Sequence, residues 1–237
     1  MKGVEAIILA GGKGVRMGNL TQERQKCLLP IDGEPALGQV IDNLVSAFGS
    51  LDLKVSIDYK SEQVIEYVDK KKSKKISVSY IPHSGDIEGW EIYRGILPHV
   101  RGSFIATPGD IIALPEAYTN IATIFENEDV DGAMTLSPHL EAVDTHGVGK
   151  LENSRVTDLQ WPPPHQSEPE HLRDMTIWAS DKQFFDLIEK YPSPKKSIGV
   201  VFMKAIHDNR PIAGNLYTKQ WIHLGYPEDL EKSMQNR

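Results

Sequence analysis

Cysteine is nearly missing from this chain: Cys27 is the single one among 237 residues. One cysteine excludes an intrachain disulfide, and with no CxxC or Cys/His spacing around it there is no thiolate metal site to expect. Long apolar runs are missing too, and no stretch approaches the roughly 20 apolar residues that cross a bilayer. The short apolar run that ends at Ala10 is interrupted by Glu5 and followed at once by glycines, unlike the apolar region of a secretory leader. Positive charge is in deficit, with 26 Lys and Arg against 33 Asp and Glu. A chain of net charge −7 has no field that would gather a nucleic acid, so any phosphate it binds must be bound locally. None of the eight histidines lies in an HxH or HExxH pattern, and no serine sits in a GxSxG elbow, which removes zinc hydrolase and serine hydrolase chemistry. These absences point to a soluble protein of a reducing, cytoplasmic setting, without nucleic-acid or membrane partners.

Apolar content of 40% is enough for one sizeable core, and one domain is expected. Strand-like and helix-like runs alternate through the first half: strands at 4–10, 53–57, 76–81, 103–107 and 132–137, and helices at 35–48, 62–72, 88–97 and 116–127. In 35–48 the apolar residues Leu37, Val40, Ile41, Leu44, Val45 and Phe48 recur at spacings of three and four, with Pro35 in the first turn. Such alternation predicts an α/β fold, a Rossmann-like open, mostly parallel mixed sheet with helices on both faces. The second half is less regular, with short strands at 147–152 and 156–161, a proline-rich loop at 162–169, a helix over 181–190 capped by Asp181, and another over 227–234. The change in regularity divides the chain into two halves, about 1–135 and about 136–237. The lysines at 70, 71, 72, 74 and 75 close a helix, where they suit the negative dipole end and solvent better than a ligand.

The most informative segment follows the first strand: Leu9-Ala10-Gly11-Gly12-Lys13-Gly14-Val15-Arg16-Met17-Gly18. Glycines at this density let the backbone approach a ligand and turn N–H groups toward an anion. A glycine cluster alone is read first as a tight strand-to-helix connection. Ten residues beyond Arg16 stands Lys26, which opens Lys26-Cys27-Leu28-Leu29-Pro30-Ile31-Asp32-Gly33-Glu34-Pro35.

In spacing and order this stretch resembles the signature of the sugar-phosphate nucleotidyltransferases, the family of glucose-1-phosphate thymidylyltransferases and mannose-1-phosphate guanylyltransferases. There, G-x-G-x-R is followed by a lysine, an L-L-P run and a G-x-P. The resemblance implies that residues 9–16 (Leu9, Ala10, Gly11, Gly12, Lys13, Gly14, Val15 and Arg16) wrap a triphosphate. It also implies that Arg16 steadies departing pyrophosphate and that Lys26 contacts the α-phosphate. The family's usual proline before the lysine is Gln25 here, a departure expected to matter little. At Thr107-Pro108-Gly109-Asp110, a strand end suited to ligand binding, the family's G-D pair implies Gly109 beside the nucleotide and Asp110 as the carboxylate that holds a divalent cation. Read by itself, Asp110 is equally a turn aspartate.

The segment Trp221-Ile222-His223-Leu224-Gly225-Tyr226-Pro227-Glu228-Asp229 is similar to the family's W-x-D-x-G-T-P-E-D, with His223 in place of a metal-binding aspartate. Magnesium resting mainly on Asp110 and phosphate oxygens, manganese with nitrogen ligation by His223, and a His223 that only fills space are all compatible with the pattern. Gly85, in the segment His83-Ser84-Gly85, falls where the family reads its base. Where the family shows E-K-P, Gln160-Trp161-Pro162 lacks the lysine, and Lys150, Arg155 or Arg173 are candidates to supply charge to the acceptor. The resemblance implies a nucleotide-binding half of about 1–135 and an acceptor-binding half of about 136–237, and transfer of a nucleotidyl group from a nucleoside triphosphate to a sugar 1-phosphate, in a monomer or a homo-oligomer. Phosphocholine or inositol phosphate as acceptor, or a non-catalytic nucleotide sensor, are the alternatives.

Overall fold

The computed structural model describes residues 4–83, 89–138, 146–164, 168–185 and 198–230. In chain order the elements are β1 (Val4–Leu9), two short 3-10 turns (Val15–Thr21 and Lys26–Leu28), β2 (Pro30–Ile31), β3 (Glu34–Pro35), α1 (Ala36–Phe48), β4 (Leu51–Ile57), α2 (Ser61–Lys71) and β5 (Ile76–Pro82). There follow α3 (Trp90–Ile96), β6 (Phe104–Pro108), β7 (Ile111–Ile112), α4 (Pro115–Asn127), β8 (Gly132–Ser137), β9 (Val148–Glu152), β10 (Arg155–Gln160), β11 (Leu172–Ser180), α5 (Ile198–His207), β12 (Ile212–Leu216) and β13 (Ile222–His223). The chain divides into two compact units, the first from its residues up to 85 with 107–116 and those from 220 on, the second from the remainder.

In the first unit β1, β4 and β5 pair in parallel, with Val4 opposite Leu51 and Leu51 opposite Ile76 at the start of the two ladders. Parallel neighbours require crossover connections, and α1 and α2 are those crossovers. Their apolar spacing explains them: α1 buries Leu37, Val40, Ile41 and Leu44, and α2 buries Val64 and Val68. β1 is apolar throughout its middle because Ala6, Ile7 and Ile8 are fully buried, as a strand covered on both sides demands. The antiparallel pair β7 and β13 sets Ile111 opposite His223. The lysines that close α2 face carboxylates at the surface, Lys70 with Glu66 and Lys71 with Asp42, each at 2.6 Å.

In the second unit the sheet is mixed. β12 runs parallel to β8, while β11 is antiparallel to β6, β8 and β9. Its core is aromatic: the Trp178 ring lies 4.9 Å from Tyr93 and 5.3 Å from Phe202. The sequence reading places no strand at 172–180, no helix at 198–207 and no strand at 212–216. In β11, Asp174 pairs with Leu136 and Trp178 with Met134, so four steps of one strand match two of its neighbour. That bulge, with Thr176 at φ 54°, breaks the alternation by which a strand is recognised. The expected helix over 181–190 begins as a 3-10 turn at Lys182–Phe185 whose Gln183 and Phe184 amides donate to the Asp181 carboxylate. Residues 186–190 lie outside the described segments, as do 231–234 of the last expected helix and Glu88 of the one at 88–97.

Candidate active site

The first unit carries the site, and its floor is the end of β1. Beyond Leu9 the chain leaves the ladder, and the carbonyls of Ala10, Gly11 and Gly12 are each held from another segment. The Gln25 side-chain amide donates to Ala10 O at 2.8 Å and to Gly12 O at 3.0 Å, and the Tyr59 amide donates to Gly11 O at 3.2 Å. Gly11 has no room for a side chain, since a Cβ there would lie 2.7 Å from His83 Nε2 and 2.9 Å from the Asp58 amide nitrogen. Gly14 is required for a different reason: its φ is +64°, and it starts the 3-10 turn that carries Arg16. Lys13, Val15 and Arg16 are exposed, and the Arg16 guanidinium stands over the Tyr226 ring, 4.9 Å from its centroid.

Lys26 opens the second 3-10 turn, whose Cys27 amide donates to Gln25 Oε1 at 2.5 Å. Its ammonium forms an ion pair with the Asp110 carboxylate. Asp110 follows Gly109, whose amide donates to Leu9 O at 2.9 Å, and its own carbonyl accepts from the Leu224 amide at 3.0 Å. His223 Nε2 stands 3.9 Å from Asp110 Oδ2. The glycine loop, Lys26, Asp110 and His223, more than 200 residues apart in sequence at the extremes, are thus tied together within one unit.

Burial, and secondarily the charge of Asp110, pushes the Cys27 thiol far above its ordinary range, so the lone cysteine is no nucleophile. Burial holds the His83 imidazole below its usual pKa against the weaker opposing pull of Asp58, which makes it neutral at pH 7. Gly85 lies outside the described residues. Of the cations proposed for an acceptor, Lys150 is engaged by Glu168 and Glu170 at 2.7 Å each and Arg155 by Glu128 at 3.5 Å, while Arg173 is buried. Sequence reasoning misses three residues of this neighbourhood, Gln25, His83 and Tyr226. The departure from proline at 25 was the available signal for the first, and none singled out the ring contacts of the other two.

Among the described residues no group of three or more His, Cys, Asp or Glu side chains is placed to hold a metal ion. Asp110 is a single hard oxygen donor already facing Lys26, with one imidazole beyond it. That set fits a cation whose other ligands are phosphate oxygens and water, the usual condition of magnesium at a nucleotide, and not a metal caged by protein alone.

A model of the family described as nucleotidyl transferase matches residues 5–237. The chain belongs to the nucleotidyl transferase family. It is 28% identical over 232 residues to the bifunctional protein GlmU of Methanococcus aeolicus, covering 96% of this chain and 53% of that one. It therefore spans about half the length of the curated relatives it matches. Among solved structures it is similar to a UDP-glucose pyrophosphorylase complexed with UDP-glucose, with TM-score 0.84, 14% identity and coverage of 98% and 97% of the two chains. The inositol-1-phosphate CTP transferase of T. maritima has TM-score 0.78 at 16% identity, covering 100% of this chain and 98% of that one. The α/β fold expected from the sequence is the fold these structures share.

Proposed function

We propose that this chain transfers a nucleotidyl group from a nucleoside triphosphate to a sugar 1-phosphate, giving a nucleoside diphosphate sugar and pyrophosphate. The observation that carries the reading is the convergence, on the end of one parallel strand, of a glycine loop with its carbonyls tied back, the Lys26–Asp110 pair and the Arg16 side chain. Phosphoryl transfer asks for positioning and charge neutralisation more than for an acid or a base. An oxygen of the acceptor phosphate attacks the α-phosphorus, the bond from that phosphorus to the bridging oxygen breaks, and pyrophosphate leaves with the electron pair. The acceptor phosphate is already ionised at neutral pH, so no side chain need remove a proton. Amides of the Gly11–Gly14 loop and Arg16 hold the β- and γ-phosphates, and Lys26 turns from Asp110 to the α-phosphate. Asp110, with His223 beside it, would hold magnesium or manganese, which when bound supplies positive charge to the phosphate oxygens.

Pyrophosphate release over four nucleoside triphosphates and a panel of sugar phosphates, with magnesium and with manganese, tests the assignment. Arg16→Ala and Asp110→Ala are each expected to lower turnover by roughly 100-fold, the scale of losing one partner to transition-state charge. Wild-type rates in either variant would contradict the roles given. A second reading concerns the acceptor: with Trp161 at the place of the resembled lysine, and Lys150 and Arg155 engaged by glutamates, inositol phosphate and phosphocholine belong on the same panel. Triphosphate binding without any turnover would favour a nucleotide sensor.

A further inference from the structure

We infer that Gln25 is a positioning residue for polyphosphate, holding the glycine loop in the one orientation that offers its amides to an anion. The inference rests on the reading above and deepens it at the glycine loop. Gln25 is 1% exposed, and its side chain is engaged at both ends: both amide protons go to loop carbonyls, Ala10 O and Gly12 O, and its oxygen accepts from the Cys27 amide. The residue is itself fixed, because its backbone amide donates to Gln63 Oε1 at 2.9 Å while Gln63 Nε2 donates to Glu23 O at 2.8 Å. A buried amide with both protons and its oxygen engaged is held in one orientation.

The consequence follows from peptide geometry. In a planar trans peptide the C=O of one residue and the N–H of the next point in opposite directions. Tying back the carbonyls of Ala10 and Gly12 therefore aims the amides of Gly11 and Lys13 away from Gln25, and the Tyr59 bond to Gly11 O aims the amide of Gly12 away from Tyr59. Among the described residues neither the Gly11 nor the Gly12 amide donates to a backbone carbonyl. Successive N–H groups presented this way form an anion-binding concavity, and Gln25 supplies two of the three ties that create it. The same side chain caps the turn of Lys26, so the loop amides and the lysine are set by one residue. A proline, which the resembled signature has at this place, carries no side-chain donor to make these bonds.

The experiment compares the full-length chain with Gln25→Glu and Gln25→Ala by titration calorimetry, using inorganic tripolyphosphate, the preferred nucleoside triphosphate and the matching nucleoside. Glutamate keeps the size and the acceptor to Cys27 N but loses the donor, and alanine loses both without adding charge. Each variant is expected to bind tripolyphosphate and triphosphate about tenfold more weakly or worse, as two lost hydrogen bonds imply, with nucleoside affinity unchanged. A general loss of structure would lower all three affinities together. Wild-type tripolyphosphate affinity in a folded Gln25→Ala protein overturns the inference and leaves the nucleotidyl transfer reading standing. A wild-type protein that binds neither polyphosphate nor triphosphate overturns both. Should neither variant fold, hydrogen exchange of the wild type decides: the 9–14 peptide must gain protection when tripolyphosphate is added, and unchanged exchange overturns the inference.

Discussion

Adding one methyl group at Gly11 separates packing from ligand chemistry in the glycine loop. The new Cβ would lie 2.7 Å from His83 Nε2, 3.0 Å from His83 Cε1 and 2.9 Å from the Asp58 backbone nitrogen. The imidazole is the end of a side chain and can swing aside. The Asp58 amide cannot, because it belongs to the backbone between β4 and α2. Overpacking of this kind costs about 1–3 kcal/mol, which in a chain of this length lowers the melting temperature by about 2–4 °C for each kcal/mol. Gly12 is the control, since a Cβ there meets nothing within 4 Å. With no clash, the reduced freedom of the unfolded chain makes Gly12→Ala neutral or stabilising by about 0.4–1 kcal/mol. Thermal and urea unfolding of both variants, and of Gly11→Ala combined with His83→Ala, measure the difference. The double variant should recover only part of the loss, because the Asp58 contact persists. Equal melting temperatures for the two alanine variants, or full recovery in the double variant, would refute the packing account.

Two further outcomes are expected. Burial pushes the Asp174 carboxyl from 3.8 up to about 6, so between these values the folded chain binds more protons than the unfolded one and stability falls as pH rises through the window. The cost is complete above it at about 3 kcal/mol, and Asp174→Asn should raise the melting temperature more at pH 8 than at pH 4; equal gains at both would count against it. At the loop's far end, the ring of Tyr226 lies under Arg16. Cation–π contact at such a site is worth about 0.5–1 kcal/mol, so Tyr226→Leu should raise the KM for pyrophosphate in the reverse direction about two- to fivefold while Tyr226→Phe does not, and identical values would show the contact to be idle.

The first unit is legible in the sequence because its physics is local. Buried β1 reads as a continuous apolar run, and α1 announces itself by the spacing of Leu37, Val40, Ile41 and Leu44. Their observed ends differ from expectation by a residue, the usual fraying of strand and helix termini. β11 is illegible because Arg173 and Asp174 are buried beside a bulge, and no periodicity signals two buried ionisable residues in succession. α5 buries Val200, Val201, Phe202, Ala205 and Ile206 in so short a span that an apolar run of that length reads as strand or helix alike. The candidate site divides in the same way. Gly11, Gly14 and Lys26 can be picked from one contiguous stretch, whereas Asp110 beside His223 depends on the pairing of β7 with β13, a contact across more than 100 residues. Gln25 was visible only as a departure from a pattern; its weight lies in three hydrogen bonds that no sequence displays.

On the proposed reading, these bonds are also how a chain of net charge −7 would take a polyanion. A global field of that sign repels the ligand at long range, where salt screens it beyond about 10 Å. The attraction must come from groups that act only on contact. Backbone amides meet that condition, since their partial charges are fixed, do not titrate and contribute nothing to net charge. Lys26 meets it less directly, because its ammonium is already neutralised by Asp110 and must exchange one anion for another when a phosphate arrives. The exchange conserves the ion pairing of the lysine, so its gain is smaller than that of a solvated cation meeting the same phosphate. On the proposed reading the larger share of the attraction for polyphosphate falls to the loop amides, whose strength depends on orientation. An uncharged buried glutamine that fixes their orientation would then act on anion binding without adding any charge to the chain.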